Sequence, residues 1–78
     1  MPITKKQKDK LKTLGEKVKN VRKEKSLTLK ELAHSIDKDP QSIHRLESGA
    51  INPSYLYLLQ LCKGLDIKIT ELLDELPE

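Results

Sequence analysis

A chain of 78 residues with 36% apolar side chains and only two aromatic ones has material for one small core. A domain of this size buries only about 60–65% of its unfolded surface, which excludes a deep enzyme cleft. A single cysteine, Cys62, excludes an internal disulfide, and no apolar run approaches the ~20 residues that span a bilayer. A cytoplasmic protein with no membrane partner is therefore expected. The net charge of +3 conceals a division: residues 1–30 carry 11 Lys or Arg against 3 acids, whereas residues 31–78 carry 4 against 9. A basic end of this kind attracts polyanions, phosphate backbones above all.

Residues 1–10, MPITKKQKDK, form a basic arm that is either mobile or an extension of the first helix, ahead of a domain expected over 11–76. Thr4 with Gln7 and Thr13 with Glu16 both have capping-box spacing, so the first helix starts at one or the other. Its apolar stripe is Leu11, Leu14, Val18 and Val21, and it ends near Lys25, where cations suit the helix's negative pole. Thr28 caps a second helix, with Glu31 completing a capping box and Leu27 and Leu32 as a hydrophobic staple. Asp39 caps a third, with Pro40 at the first helical position, where the missing N–H costs nothing. This helix spans 40–48, and Gly49 supplies its left-handed end. A fourth helix starts from Asn52 or Ser54 and turns Leu58, Leu59, Cys62 and Leu65 inward. A fifth covers about Ile69 to Leu76, stopped by Pro77. Only Leu65–Ile69 alternates with period two, and it is too short for a strand. The expectation is an all-α, compact five-helix domain with no internal repeat.

The stretch TLKELAHSIDKDPQSIHRLESG, residues 28–49, carries the functional signal. Leu32, Ala33, Ile36, Ile43 and Leu46 face one core, while Gln41, His44, Arg45 and Ser48 share the opposite side of the third helix. A braced helix presenting such groups can read base edges. A Gln amide matches adenine N6 and N7, and a guanidinium matches guanine O6 and N7. Gln41 and Arg45 are the leading base-contacting candidates, with Ser42 and His44 behind them. Thr28, Lys30, Lys38, Asn52, Ser54 and Tyr55 lie at helix starts or in turns, where N–H groups and cations hold phosphates. Tyr55 serves that role or packs on the core. His34 and His44 have no Cys or carboxylate at ligand spacing, so no metal is expected, and no cofactor motif or catalytic constellation is present. Cys62 reads as a small core hydrophobe.

From Leu14 to Leu73 the chain resembles the helix-turn-helix domain of the Cro and phage-repressor family, the XRE family. The matching residues are LGEKVKNVRKEKSLTLKELA, PQSIHRLESG, INPS and LLQLCKGLDIKITELL. The resemblance implies a five-helix fold with its helix-turn-helix at residues 28–49. It also implies a transcriptional regulator, not an enzyme, that binds double-stranded DNA as a homodimer on a palindromic operator. It implies that Arg22 and Glu47 form a buried structural pair. The family usually has Gly where this chain has Asp37 and Asp66, which implies left-handed aspartates with some strain. An apolar surplus at Ile67, Ile69, Leu73 and Leu76 suggests the dimer contact. The acidic C-terminal half, with Asp37, Asp39 and Glu47 around the reader helix, supports an alternative: a protein-interaction or antitoxin-like module that holds a regulatory protein partner. A third reading, non-specific DNA coating by the lysine-rich end, predicts binding that survives Gln41→Ala with Arg45→Ala.

Overall fold

The computed structural model describes residues 3–74 and 76. Within them the chain forms five helices and no strand: α1 Lys5–Glu24, α2 Leu29–Ser35, α3 Pro40–Glu47, α4 Tyr55–Leu65 and α5 Ile69–Leu73. α1 begins at the earlier of its two candidate starts. The Thr4 hydroxyl accepts the Gln7 N–H (3.2 Å) and the Gln7 amide oxygen accepts the Thr4 N–H (3.0 Å). Thr13 lies inside the helix, its hydroxyl donating to the Asp9 carbonyl. Residues 5–10 are thus helical, and α1 runs for 20 residues, or about 30 Å. Thr28 and Asp39 cap α2 and α3, and Ser54, rather than Asn52, caps α4 by accepting the Tyr57 N–H.

Val18, Leu32, Ile43, Leu46, Leu61, Leu65 and Leu72 are sealed from solvent and draw all five helices onto one core. Two expectations are corrected. The inward stripe of α4 includes Leu61, which is fully buried, whereas Leu59 is only half-buried. Leucines at 56, 58, 59 and 61 occur so densely that spacing alone cannot choose the buried face. Contact with α2 chooses it, because Gly64 lets α4 approach the side chains of Leu32, Ser35 and Ile36. The fifth helix stops at Leu73, three residues short of Leu76. Asp74 takes extended backbone (φ −65°, ψ 146°), and a carboxylate is unfavourable at a helix's negative pole. Pro77, the expected stop, lies outside the described residues.

Four helices leave by the same closure. Leu27, Lys38, Ala50 and Ile67 return N–H bonds to the carbonyls of Arg22, Ala33, Arg45 and Cys62 at 2.8–3.1 Å. Each closure needs one left-handed residue. Those residues are Ser26 (φ 58°), Asp37 (55°), Gly49 (79°) and Asp66 (56°). Only one of the four is glycine. The left-handed aspartates follow the sequence expectation, while Ser26 was not anticipated.

Candidate nucleic-acid interface

α3 is short, so its orientation depends on what clamps it. Asp39 Oδ1 accepts the Gln41 N–H at 2.9 Å, which starts the helix. Ile43, Leu46 and Glu47 are buried, while Gln41, His44, Arg45 and Ser48 are exposed. Among the described residues no hydrogen bond or ion pair engages the side chain of Gln41, His44 or Arg45. The Ser48 hydroxyl donates to the Arg45 carbonyl at 3.0 Å. The outward face therefore offers an amide, an imidazole and a guanidinium free to bond elsewhere.

On one flank α3 is welded to α1. Arg22 Nε donates to Glu47 Oε2 at 2.7 Å and Nη2 donates to Oε1 at 3.1 Å, a two-bond fork. Its Nη1 donates to the Leu27 carbonyl at 2.8 Å, so the guanidinium also fixes the turn leading into α2. The two side chains are only 9% and 4% exposed. Beside them, a Cβ on Gly15 would collide with the backbone of Leu46 and Glu47. The two helices touch backbone to backbone, and only glycine fits there. Sequence reasoning missed Gly15, although a glycine inside an apolar helical stripe is the sign of such an approach.

On the other flank α3 meets α4 through polar groups. Ser42 is half-buried, and its hydroxyl lies 2.7 Å from the Tyr57 hydroxyl. Lys38 Nζ sits 5.1 Å from the Tyr57 ring centroid, within cation–π range. Ser42, expected beside Gln41 among the base readers, is thus turned toward α4. Tyr57 was not singled out from sequence. Its only signal was a place three residues after the α4 cap.

The expected phosphate-holding residues occupy three places. Thr28 and Lys30 stand at the start of α2, but Thr28 is engaged in its capping box with Glu31. The Thr28 backbone N–H, and then its hydroxyl, hold the Glu31 carboxyl below the usual carboxylate range. This helix start already carries its own anion. Lys38 is half-buried in the turn. Ser54 and Tyr55 begin α4, whose first turn holds no acid, leaving that start open to an anion. Tyr55 is 65% exposed, so it stands clear of the core. Asn52 is exposed and faces Ile3, Gln7, Lys10 and Leu11 of the chain start and α1.

The acids around the reader helix are largely occupied. Glu47 is buried with Arg22, and Asp39 is bonded as a cap. Cys62 is buried in the core, and burial, then the Glu71 charge, push its thiol up, so it stays protonated and inert. Among the described residues no group of three His, Cys, Asp or Glu could hold a metal, and no helix is long and apolar enough to cross a membrane.

A helix fixed at its back and carrying free polar groups in front defines a class of protein that binds DNA. Comparison with known proteins gives the family. Residues 18–72 match the family described as Helix-turn-helix, and the chain belongs to it, among DNA-binding transcription regulators. The restriction-modification controller protein C.AhdI from Aeromonas hydrophila is similar in structure (TM-score 0.77) and 31% identical, the match covering 80% of this chain and 94% of that one. The clp gene regulator ClgR from Corynebacterium glutamicum is similar at TM-score 0.79 and 28% identity, with 82% of this chain and 83% of that chain covered. A second structure of ClgR matches at the same TM-score and identity, over 68% of its length. No curated protein sequence matches the chain.

Proposed function

We propose that this regulator is a homodimer that reads a palindromic operator in double-stranded DNA, with α3 of each copy in the major groove. The observation that carries the reading is the freedom of Gln41 and Arg45 on the exposed face of a helix whose opposite face is locked. Gln41 lies in the first turn, the part of such a helix that goes deepest, and takes adenine. Arg45, one turn later, takes guanine. His44 contacts a base edge or a neighbouring phosphate. Ser42 reaches the groove only through the hydroxyl it shares with Tyr57, so its role is to hold α3 in register with α4. Ser54, Tyr55 and Asn52 hold phosphates on one side of the groove, and Lys30 and Lys38 on the other, with Thr28 supporting Lys30.

Dimer contacts come from α5 and the residues before it. Leu73 is 44% exposed, and Ile67 and Ile69 are half-buried at the surface. The domain measures 32 × 24 × 20 Å. Two copies of this size are of the scale needed to set reader helices one DNA turn apart, about 34 Å. C.AhdI and ClgR, a controller protein and a gene regulator, support the regulatory reading.

The test is selection of bound duplexes from a random pool. A two-fold symmetric motif is expected, and Gln41→Ala or Arg45→Ala should each weaken binding by about 1–3 kcal/mol per half-site while relaxing preference at one base position in each. No enriched motif would overturn the reading and favour a protein partner instead. Sedimentation that finds only monomer on the selected duplex would remove the homodimer.

A further inference from the structure

The charge division noted in the sequence acquires a direction in the structure. Gly15 and Arg22 mark the flank of α1 that touches α3. Lys5, Lys8, Lys12, Lys19 and Lys23 follow spacings of three, four, seven and four along α1, and so form one row beside that flank. All five are exposed. Among the described residues the Arg22–Glu47 pair is the one salt bridge, so none of the five is held in an ion pair there. Glu16 borders the row near its middle and Asp9 borders its first turns, and Lys5, Lys8 and Lys12 are its densest end, three cations in eight residues.

That end is held beside the reader helix. Gly49, which closes α3, packs against the backbone of Lys12. Lys8 and Lys12 line a groove with Asp9, Ser48, Gly49 and Ala50, the two lysines outnumbering the one carboxylate. Ser48 belongs to the exposed face of α3, so the lysine row continues from that face past the end of the helix. The capping box at Thr4 keeps these turns helical, which spares the ordering cost a loose tail would incur on binding. From Lys5 to Lys12 the helix rises about 10 Å, a length in which one DNA strand passes about three phosphates. Lys5, Lys8 and Lys12 all precede residue 18, where the family match begins.

We infer that Lys5, Lys8 and Lys12 form a rigid phosphate-binding extension that grips the DNA backbone flanking each half-site, outside the base pairs read by α3. The inference rests on the proposed operator-binding function and adds to it a longer footprint. Because the row is on one face, it differs from non-specific coating by a basic tail, in which the position of the lysines would not matter.

The test uses the full chain and its selected duplex, with and without about ten base pairs added at each end. Binding is measured between 50 and 200 mM salt for three proteins: wild type; Lys5→Gln with Lys8→Gln and Lys12→Gln; and a charge-matched control, Lys6→Gln with Lys17→Gln and Lys63→Gln. Gln has nearly the helix propensity of Lys, so α1 persists in each. Losing three phosphate contacts from each copy, six on the whole duplex, lowers the salt slope by about 5.4, so over this range wild type should lose affinity about 1,800-fold more than the row variant does. Wild type and the control should gain from the added flanks, the row variant should not, and all three should enrich the same motif. Equal slopes for the two triple variants, or flank dependence retained without the row, would overturn the inference while leaving operator reading intact. Failure of wild type to enrich any motif would overturn both.

Discussion

The two flanks of α3 are built from different chemistry. Toward α1 the contact is dry: a buried two-bond ion pair and a glycine that admits backbone carbonyls. Toward α4 it is a half-buried hydroxyl pair with a lysine above the ring. A buried charge that loses its partner is stranded without water, whereas a half-buried hydroxyl that loses its partner finds water instead. The α1 flank therefore decides whether α3 is present at all, and the α4 flank sets its fine orientation.

The largest expected effect tests the dry flank. Arg22→Ala or Glu47→Ala should each destabilise by about 3–5 kcal/mol in chemical denaturation, a large share of what a small domain possesses. The double variant should cost well under the sum, because each single change strands the same pair; simple additivity would show that the ion pair is not the coupling. Gly15→Ala comes next, at about 1–3 kcal/mol or more, since the carbonyls it meets belong to backbone and cannot rotate aside. Tyr57→Phe removes only the hydroxyl bonded to Ser42. It should cost about 0.5–1.5 kcal/mol of stability, yet weaken operator binding measurably while Leu56→Ala, a 70% exposed neighbour, does not. Equal effects of those two variants on binding would deny the α4 flank any part in orienting α3.

The turns and the caps act through single backbone positions. A left-handed residue other than glycine costs roughly 1–2 kcal/mol, so Asp37→Gly should raise the melting temperature by several degrees without touching either flank. A fall would mean that the aspartate contributes something there beyond its backbone angle. The smallest effect is the pH response of α2. The Glu31 carboxyl is held low by Thr28, so its cap is complete above the usual carboxylate range and is lost as pH falls through the lower value it takes in the fold. The protection of the Thr28 amide, taken as its exchange rate relative to the intrinsic rate at each pH, should fall on acidification, and Glu31→Gln should abolish that dependence.

Much of this was legible in the linear chain because it depends on neighbours in sequence. Thr28 with Glu31, Asp39 with Pro40, and Gly49 are local signals, and they start or stop helices where their own backbone N–H groups and carbonyls require it. The exposed set Gln41, His44, Arg45 and Ser48 follows from helical spacing once Ile43 and Leu46 are known to point inward. The choice between Thr4 and Thr13, by contrast, was open from spacing, since both satisfy the same local rule. The inward face of α4 was open for a related reason, since leucines occur on too many sides for periodicity to select one, and α5 is shorter than its apolar spacing implies because Asp74 turns the backbone extended before Leu76.

What needed three dimensions was every contact between residues far apart in the chain. Gly15 against the end of α3, Ser42 against Tyr57, and the lysine row lying beside the reader helix arise from how whole helices approach each other. Local chemistry sets where a helix begins and which groups it carries. Only packing, which satisfies all faces at once, determines which of those groups are buried, which are shared and which remain free for a ligand.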